Sequence, residues 1–129
     1  MAERFSNQPG VAVEVANYGE TQSAPFYEPL YTFFEQHNHV RNVSIRVAGY
    51  DARLTPDMGE FLDKTVSLIE QTNEQNQQTP VHLVGHSNGP LYAQYLLTHT
   101  SPAWKKRYIH GFTPIAGNFP GQGLLYTVL

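Results

Sequence analysis

The chain has 129 residues, of which 40% are hydrophobic and 15% are charged, and its formal net charge is −3. These values are typical of one globular domain and exclude a disordered chain. Because Asp and Glu outnumber Lys and Arg by 11 to 8, we expect no nucleic-acid partner. The absence of cysteine excludes disulfides and thiolate metal sites. No apolar run approaches the roughly 18 residues of a membrane span, and the polar residues 1–10 do not fit a secretory signal.

The first half of the chain predicts a strand, a helix and a second strand. Residues 11–16 are rich in β-branched side chains and follow a Pro-Gly turn, which favours a strand. Between residues 26 and 37 the apolar side chains recur at helical spacing. Residues 43–47 alternate between apolar and more polar side chains, which predicts a strand with one buried face.

The second half continues this alternation of helices and strands. After a loop at residues 49–54, Asp57 and Glu60 form a capping-box pattern, so we expect a helix to begin there. It should end in a solvated, Gln- and Asn-rich connection at residues 71–78.

Residues 81–84 predict a short strand that leads into the sequence Gly-His-Ser-Asn-Gly. Pro90 then falls in the first turn of a helix that is apolar nearly all round and therefore buried. A last strand is predicted from Tyr108 to Ile115. Strands that alternate with helices imply an α/β fold with a mostly parallel sheet covered by helices on both faces.

Residues 85–89 match the pattern Gly-x-Ser-x-Gly, with Ser87 at its centre. The preceding apolar strand and the following apolar helix are the context of a nucleophile elbow, in which the serine occupies a strained turn. We expect both glycines to be required because side chains there would collide with the backbone. The start of the helix would favour the negative charge of a tetrahedral intermediate. The alternative is an ordinary turn with a solvated serine.

Four ordered blocks resemble the lecithin:cholesterol acyltransferase family and its lysosomal phospholipases. Residues 8–21 are similar to the family's "PGV-x-hydrophobic-x-VPGFGKT" and residues 50–54 to its "YDWRL". Residues 81–89 are similar to "VFLIGHSLG" and residues 103–112 to "AWKDRFIDGF". With matching spacings between the blocks, the resemblance covers residues 8–123.

The chain departs from the family pattern at several positions. Residues 16–19 stand where the family has "PGFG", Ala52 replaces the tryptophan of "YDWRL", and Asn88 replaces the usual leucine. The family's "APWGG" is replaced by residues 117–121. None of these changes removes Ser87, but they bear on the shape of the acyl pocket.

The resemblance implies a partial α/β-hydrolase fold, with residues 1–129 as a single, incomplete domain carrying the elbow. It assigns Ser87 as the nucleophile and the backbone N–H groups of Tyr18 and Asn88 as the oxyanion hole. In this family the triad Asp and His follow the serine in that order. Because residues 88–129 contain no Asp or Glu, we expect an internal segment: a fragment, a truncated gene model or a degenerate copy.

The function implied by the resemblance is a lipid O-acyltransferase or phospholipase that acts on glycerophospholipid esters through a serine acyl-enzyme. The partner would be a phospholipid or other lipid ester, at a membrane or lipoprotein surface. The acceptor, water or an alcohol such as a sterol, is left open, and no metal or cofactor is implied. Family members are secreted, lysosomal or vacuolar, or located in the endoplasmic reticulum. The alternative is a non-catalytic, truncated hydrolase-like segment that binds lipid or a partner.

Other candidate residues favour structural roles. No histidine is placed to act as the base for Ser87, and a His37–His39 metal pair would lack a third ligand. The basic run at residues 105–107 could contact anionic lipid or form a solvated face. Asp51 could lie near the active site or stabilise its own turn. Asn42-Val43-Ser44 is an N-glycosylation sequon that counts only in the secretory pathway.

Overall fold

The computed structural model describes residues 27–51 and 54–119. Residue contacts divide the chain into two compact units, Met1–Arg53 and Leu54–Leu129. The predicted strand at residues 11–16 and the predicted oxyanion residue Tyr18 lie outside the described residues. That residues 1–129 form a single, incomplete domain stays a prediction.

The first unit contains helix α1, Glu28–Glu35, which confirms the helix predicted from apolar spacing. Tyr31 is its buried residue, and the Arg41 guanidinium lies 5.2 Å from the centre of the Tyr31 ring. The same guanidinium donates to both carboxylate oxygens of Glu28, at 2.7 and 3.0 Å, and to both of Glu35, at 2.9 and 3.0 Å. Arg41 therefore fastens the chain after α1 to the face of that helix that carries Glu28, Tyr31 and Glu35.

The strand predicted at residues 43–47 is wrong, because residues 40–45 form a tight turn instead. The Val40 carbonyl accepts hydrogen bonds from the N–H groups of Val43, Ser44 and Ile45 at 2.8–3.2 Å. Asn42 has a φ of +62°, a left-handed conformation that breaks an extended strand. Among the residues that the structure describes, an isolated bridge between Arg41 and Ile45 is the strand pairing of this turn.

The second unit carries the parallel strands. Its elements are α2 Phe61–Gln75, β1 Val81–His86, α3 Gly89–His99, α4 Pro102–Tyr108 and β2 Ile109–Ile115. Strands β1 and β2 are parallel, with register partners from Val81 opposite Ile109 to His86 opposite Ile115. The predicted α/β class is confirmed. Within the described residues the sheet has two strands.

Helix α2 begins later than the capping-box pattern predicted. Gly59 has a φ of +79°, which a right-handed helix cannot continue through, so the helix starts at Phe61. The Asp57 carboxylate instead accepts a hydrogen bond from the Thr55 side chain, which is the main reason that its pKa is lowered.

The core of the second unit lies between α2 and α3. Leu68 and Ile69 of α2 are buried, as are Tyr92 and Leu96 of α3, and Leu96 is only 1% exposed. The Phe61 ring packs edge-on against Tyr92, with ring centres 4.9 Å apart. The apolar helix predicted after Pro90 is confirmed as a helix: Pro90, Tyr92 and Leu96 are buried in it, while Gln94, Thr98 and His99 are exposed.

Residues 77–80, which connect α2 to β1, are exposed, as predicted, and the end of α2 holds this connection in place. Thr72 and Asn73 are buried, and the Asn73 side-chain amide donates to the Thr79 carbonyl at 2.9 Å. Gln77 and Gln78 both adopt positive φ angles, 56° and 60°. The turn before β1 therefore has a defined conformation.

Helix α4 was not predicted from the sequence. Ser101 is its N-cap and accepts a hydrogen bond from the Trp104 N–H at 3.1 Å, and Pro102 follows in the first turn. The Ser-Pro pair could have predicted the start of this helix, because Ser is a common N-cap and Pro is common at the first helical position. The helix has seven residues with none buried, so it shows no apolar stripe.

Candidate active site

The strand-to-helix turn at residues 85–89, here called the elbow, has the geometry that the motif predicted. Strand β1 ends at His86 and helix α3 begins at Gly89. Between them Ser87 adopts a φ of +58°. This left-handed conformation is costly for a residue with a Cβ and is a form of strain that recurs at functional sites. The Ser87 residue is exposed, so its side chain is accessible at the tip of the turn.

Only the first glycine of the elbow is required by crowding. A Cβ on Gly85 would lie 2.9 Å from the Pro90 nitrogen and 3.0 Å from the Gly89 carbonyl carbon. These are backbone atoms and cannot rotate away. A Cβ on Gly89 would meet nothing within 4 Å. The expectation that both glycines avoid collisions is therefore correct for Gly85 and wrong for Gly89.

Strand β2 fixes the elbow through the backbone of Ser87. The Ser87 N–H donates to the Ile115 carbonyl at 3.0 Å, directly after the last paired residues of the two strands. The carboxyl ends of parallel strands are the usual place for ligands in open α/β sheets. The exposed serine lies at that edge.

The start of α3 supplies an environment suited to negative charge. Asn88 is the N-cap residue, and its side chain makes no capping hydrogen bond. The N–H groups of a first helical turn have no acceptor within the helix, and the helix dipole is positive at this end. An oxygen anion beside Ser87 would meet these groups. The roles of Ser87, Asn88 and Tyr18 stay predictions.

The segment after β2 lies against the elbow, which the sequence did not indicate. The Asn118 side-chain amide donates to Asn88 Oδ1 at 3.2 Å. A Cβ on Gly117 would lie 3.0 Å from the Phe119 ring and 3.2 Å from Pro90 Cγ, so this segment also packs on the first turn of α3. The sequence could have indicated this contact, because the segment follows the carboxyl end of a strand parallel to β1.

Comparison with known proteins agrees with this geometry. The lecithin:cholesterol acyltransferase family model matches residues 6–129. The chain belongs to the lecithin:cholesterol acyltransferase family. The matched residues include the strand, the turn and the helix around Ser87.

Three curated relatives illustrate the range of this family. Phosphatidylcholine-sterol acyltransferase of Homo sapiens is 33% identical over 91% of this chain and 29% of its own length. Lysosomal phospholipase A and acyltransferase of Mus musculus is 33% identical over 93% of this chain and 32% of its own length. Lecithin-cholesterol acyltransferase-like 1 of Arabidopsis thaliana is 28% identical over 91% of this chain and 32% of its own length. The chain thus spans about a third of the length of the relatives it matches.

The histidines of this family member make local contacts in the described residues. His82 Nε2 lies 2.8 Å from the Thr113 hydroxyl, and its ring centre is 5.9 Å from that of His110. His99 Nδ1 lies 2.8 Å from the Tyr95 carbonyl. His37 Nδ1 lies 2.7 Å from the Phe33 carbonyl, and the His39 ring packs edge-on against Phe34 with ring centres 5.5 Å apart. The structural roles expected for these side chains stay predictions.

Two further absences apply only to the part of the chain that the structure describes. There, no group of three or more His, Asp or Glu side chains could hold a metal ion. None of the helices described is both long and apolar enough to cross a membrane.

The basic run of α4 is partly used inside the fold. Lys105 Nζ donates to the Leu97 carbonyl at 2.8 Å, near the end of α3. The Arg107 guanidinium lies 5.0 Å from the centre of the Tyr108 ring. Lys105, at least, therefore caps the C-terminal end of α3, where a cation is favourable.

Proposed function

We propose that the protein is a lipid O-acyltransferase or phospholipase that cleaves glycerophospholipid esters through an acyl-enzyme on Ser87. The observation that carries the proposal is the exposed Ser87 at a φ of +58°, between a parallel strand and the N-terminus of α3. Family membership supports the chemistry, and the relatives include a phosphatidylcholine-sterol acyltransferase and a lysosomal phospholipase A and acyltransferase.

In the first step the Ser87 hydroxyl oxygen attacks the carbonyl carbon of the ester, and its proton passes to a histidine base of the kind the family resemblance implies. The carbonyl oxygen becomes an anion, which the backbone N–H groups of Asn88 and Tyr18 stabilise. Collapse of this intermediate breaks the ester bond, and the departing lysophospholipid alcohol takes the proton. The acyl group is left on Ser87.

In the second step water or an alcohol attacks the acyl-enzyme and releases Ser87. Water gives a fatty acid, as in a phospholipase, and an alcohol gives a new ester, as in an acyltransferase. The same oxyanion groups act in both steps. Each such donor contributes about 10²–10³-fold to the rate in serine hydrolases, so the N–H groups at the start of α3 account for a large part of the expected catalysis. A membrane or lipoprotein surface would present the lipid substrate.

The direct test is covalent labelling by a fluorophosphonate, which reacts with activated serines. The intact gene product that contains residues 1–129 should be labelled, and Ser87→Ala should abolish both labelling and phospholipid hydrolysis. Ser101→Ala is the matched control, because Ser101 caps α4 and lies outside the elbow. It should lower stability by about 1 kcal/mol and leave labelling unchanged. Full labelling of Ser87→Ala would overturn the acyl-enzyme proposal.

The alternative is that residues 1–129 are a non-catalytic segment that binds lipid or a partner. Residues 88–129 contain no Asp or Glu, so they supply no carboxylate to orient a base. Without a base, a serine site retains only about 10³–10⁴-fold catalysis over water. Residues 1–129 expressed alone should therefore show no measurable ester hydrolysis, and a product extended to a downstream Asp and His should be active. An inactive extended product would favour the binding role.

A further inference from the structure

Asn118 is a polar residue at the elbow to which neither the motif nor the family resemblance assigns a role. Its side-chain amide donates to Asn88 Oδ1 at 3.2 Å. Its own Oδ1 is buried and accepts no hydrogen bond from the residues that the structure describes. Both members of this pair stand where the chain departs from the family pattern, since Asn88 replaces a leucine and residues 117–121 replace "APWGG".

Three contacts place Asn118 firmly beside the elbow. The Ser87 N–H donates to the Ile115 carbonyl at 3.0 Å, the two asparagine side chains are hydrogen-bonded, and Gly117 lies close against Pro90. The segment at residues 115–119 therefore contacts the serine, the residue after it and the first turn of α3. Asn118 acts on the residue whose N–H is the predicted oxyanion donor.

Stability does not explain the asparagine. A buried acceptor without a donor costs free energy, so an apolar side chain of similar size would suit this position better if packing were its only role. Unsatisfied polar groups of this kind are rare in folded proteins and concentrate where a function retains them.

We propose that Asn118 is a positioning residue for the reaction at Ser87. By holding the side chain of Asn88, it fixes the orientation of the Asn88 peptide, whose N–H points to the developing oxyanion. This inference rests on the proposed acyl-enzyme function. Oxyanion donors lose effectiveness when their direction is not fixed in advance, so the pair contributes to the rate of acylation and not to ligand affinity.

A double-mutant cycle tests the pair in the intact gene product, with fluorophosphonate labelling resolved into inhibitor affinity and rate of phosphonylation. Asn118→Ala and Asn88→Ala should each lower the phosphonylation rate about tenfold, which is less than the 10²–10³-fold loss of a removed donor, with inhibitor affinity unchanged. The double variant should lose no more than either single variant, because both remove the same hydrogen bond. The urea midpoint of Asn118→Ala should equal or exceed that of the unmodified protein.

The control is Asn76→Ala, which deletes an amide hydrogen bond of 2.7 Å to the Thr72 carbonyl at the end of α2. It should lower the urea midpoint without changing the labelling rate. A labelling rate of Asn118→Ala equal to that of the unmodified protein, or losses that multiply in the double variant, would overturn the positioning role while Ser87→Ala still abolishes labelling. If the unmodified protein is not labelled, the proposed function fails, and the positioning role fails with it.

Discussion

The two glycines of the elbow should respond in opposite ways to alanine. In Gly85→Ala the new Cβ would lie 2.9, 3.0 and 3.2 Å from the Pro90 nitrogen, the Gly89 carbonyl carbon and the Pro90 Cα. Carbon atoms pack at about 3.5–4.0 Å, so the backbone would have to move by roughly half an ångström. Pro90 is almost completely buried and has little room to do so.

The expected cost of Gly85→Ala is about 1–3 kcal/mol, the range for overpacking a dense interior. In Gly89→Ala the Cβ meets nothing within 4 Å, and alanine favours a helix over glycine by about 0.5–1 kcal/mol. That variant should be neutral or slightly more stable.

The assay is urea denaturation of the intact gene product, with the midpoint compared at unchanged m-value. Gly85→Ala should also label more slowly with a fluorophosphonate, because the displaced backbone carries Ser87. Equal losses of stability in the two variants, or a Gly85→Ala variant as stable as the unmodified protein, would refute this account of the elbow.

Three further outcomes are expected. Tyr92→Phe should cost about 0.5–1.5 kcal/mol, since it removes the hydroxyl that donates to the Leu54 carbonyl; thermal unfolding measures this, and an unchanged midpoint would contradict it. The pKa of Glu28 is lowered from 4.5, chiefly by its hydrogen bond with Arg41, so this stabilisation is present above pH 4.5 and is lost as the pH falls through the lower folded value. Between pH 6 and pH 3, Glu28→Gln should therefore lose less stability than the unmodified protein. Identical pH profiles of the two proteins would argue against a stabilising Glu28–Arg41 pair. Finally, residues 1–129 expressed alone should be poorly soluble or molten, because β2 pairs with only one described strand and exposed strand edges aggregate; a sharp thermal transition of a monomer would show otherwise.

The elements with a strong local signal were predictable from the sequence. Helix α1 and strand β1 follow from apolar spacing and β-branched content, and the turn at Ser87 follows from a pattern in which strand, glycine and helix occur in fixed order. In these cases the local preference and the final environment agree, so no distant contact is needed to decide the structure.

The misses arise where one residue or one distant contact overrides the pattern. Residues 43–47 alternate like a strand, but Asn42 in a left-handed conformation closes a turn there. Gly59 likewise delays α2. The Asn88–Asn118 pair joins residues 30 positions apart, and no periodicity in the sequence reports on such a contact.

The single tryptophan of the chain occupies a useful position. The Trp104 indole N–H donates to the Glu70 carboxylate of α2 at 2.8 Å, and its ring lies 5.2 Å from that of Tyr108. Indole emission responds to polarity and to nearby carboxylates. The protein therefore carries a built-in optical reporter for the docking of α4 on α2. Excitation at long wavelength would follow that docking during refolding without any attached dye.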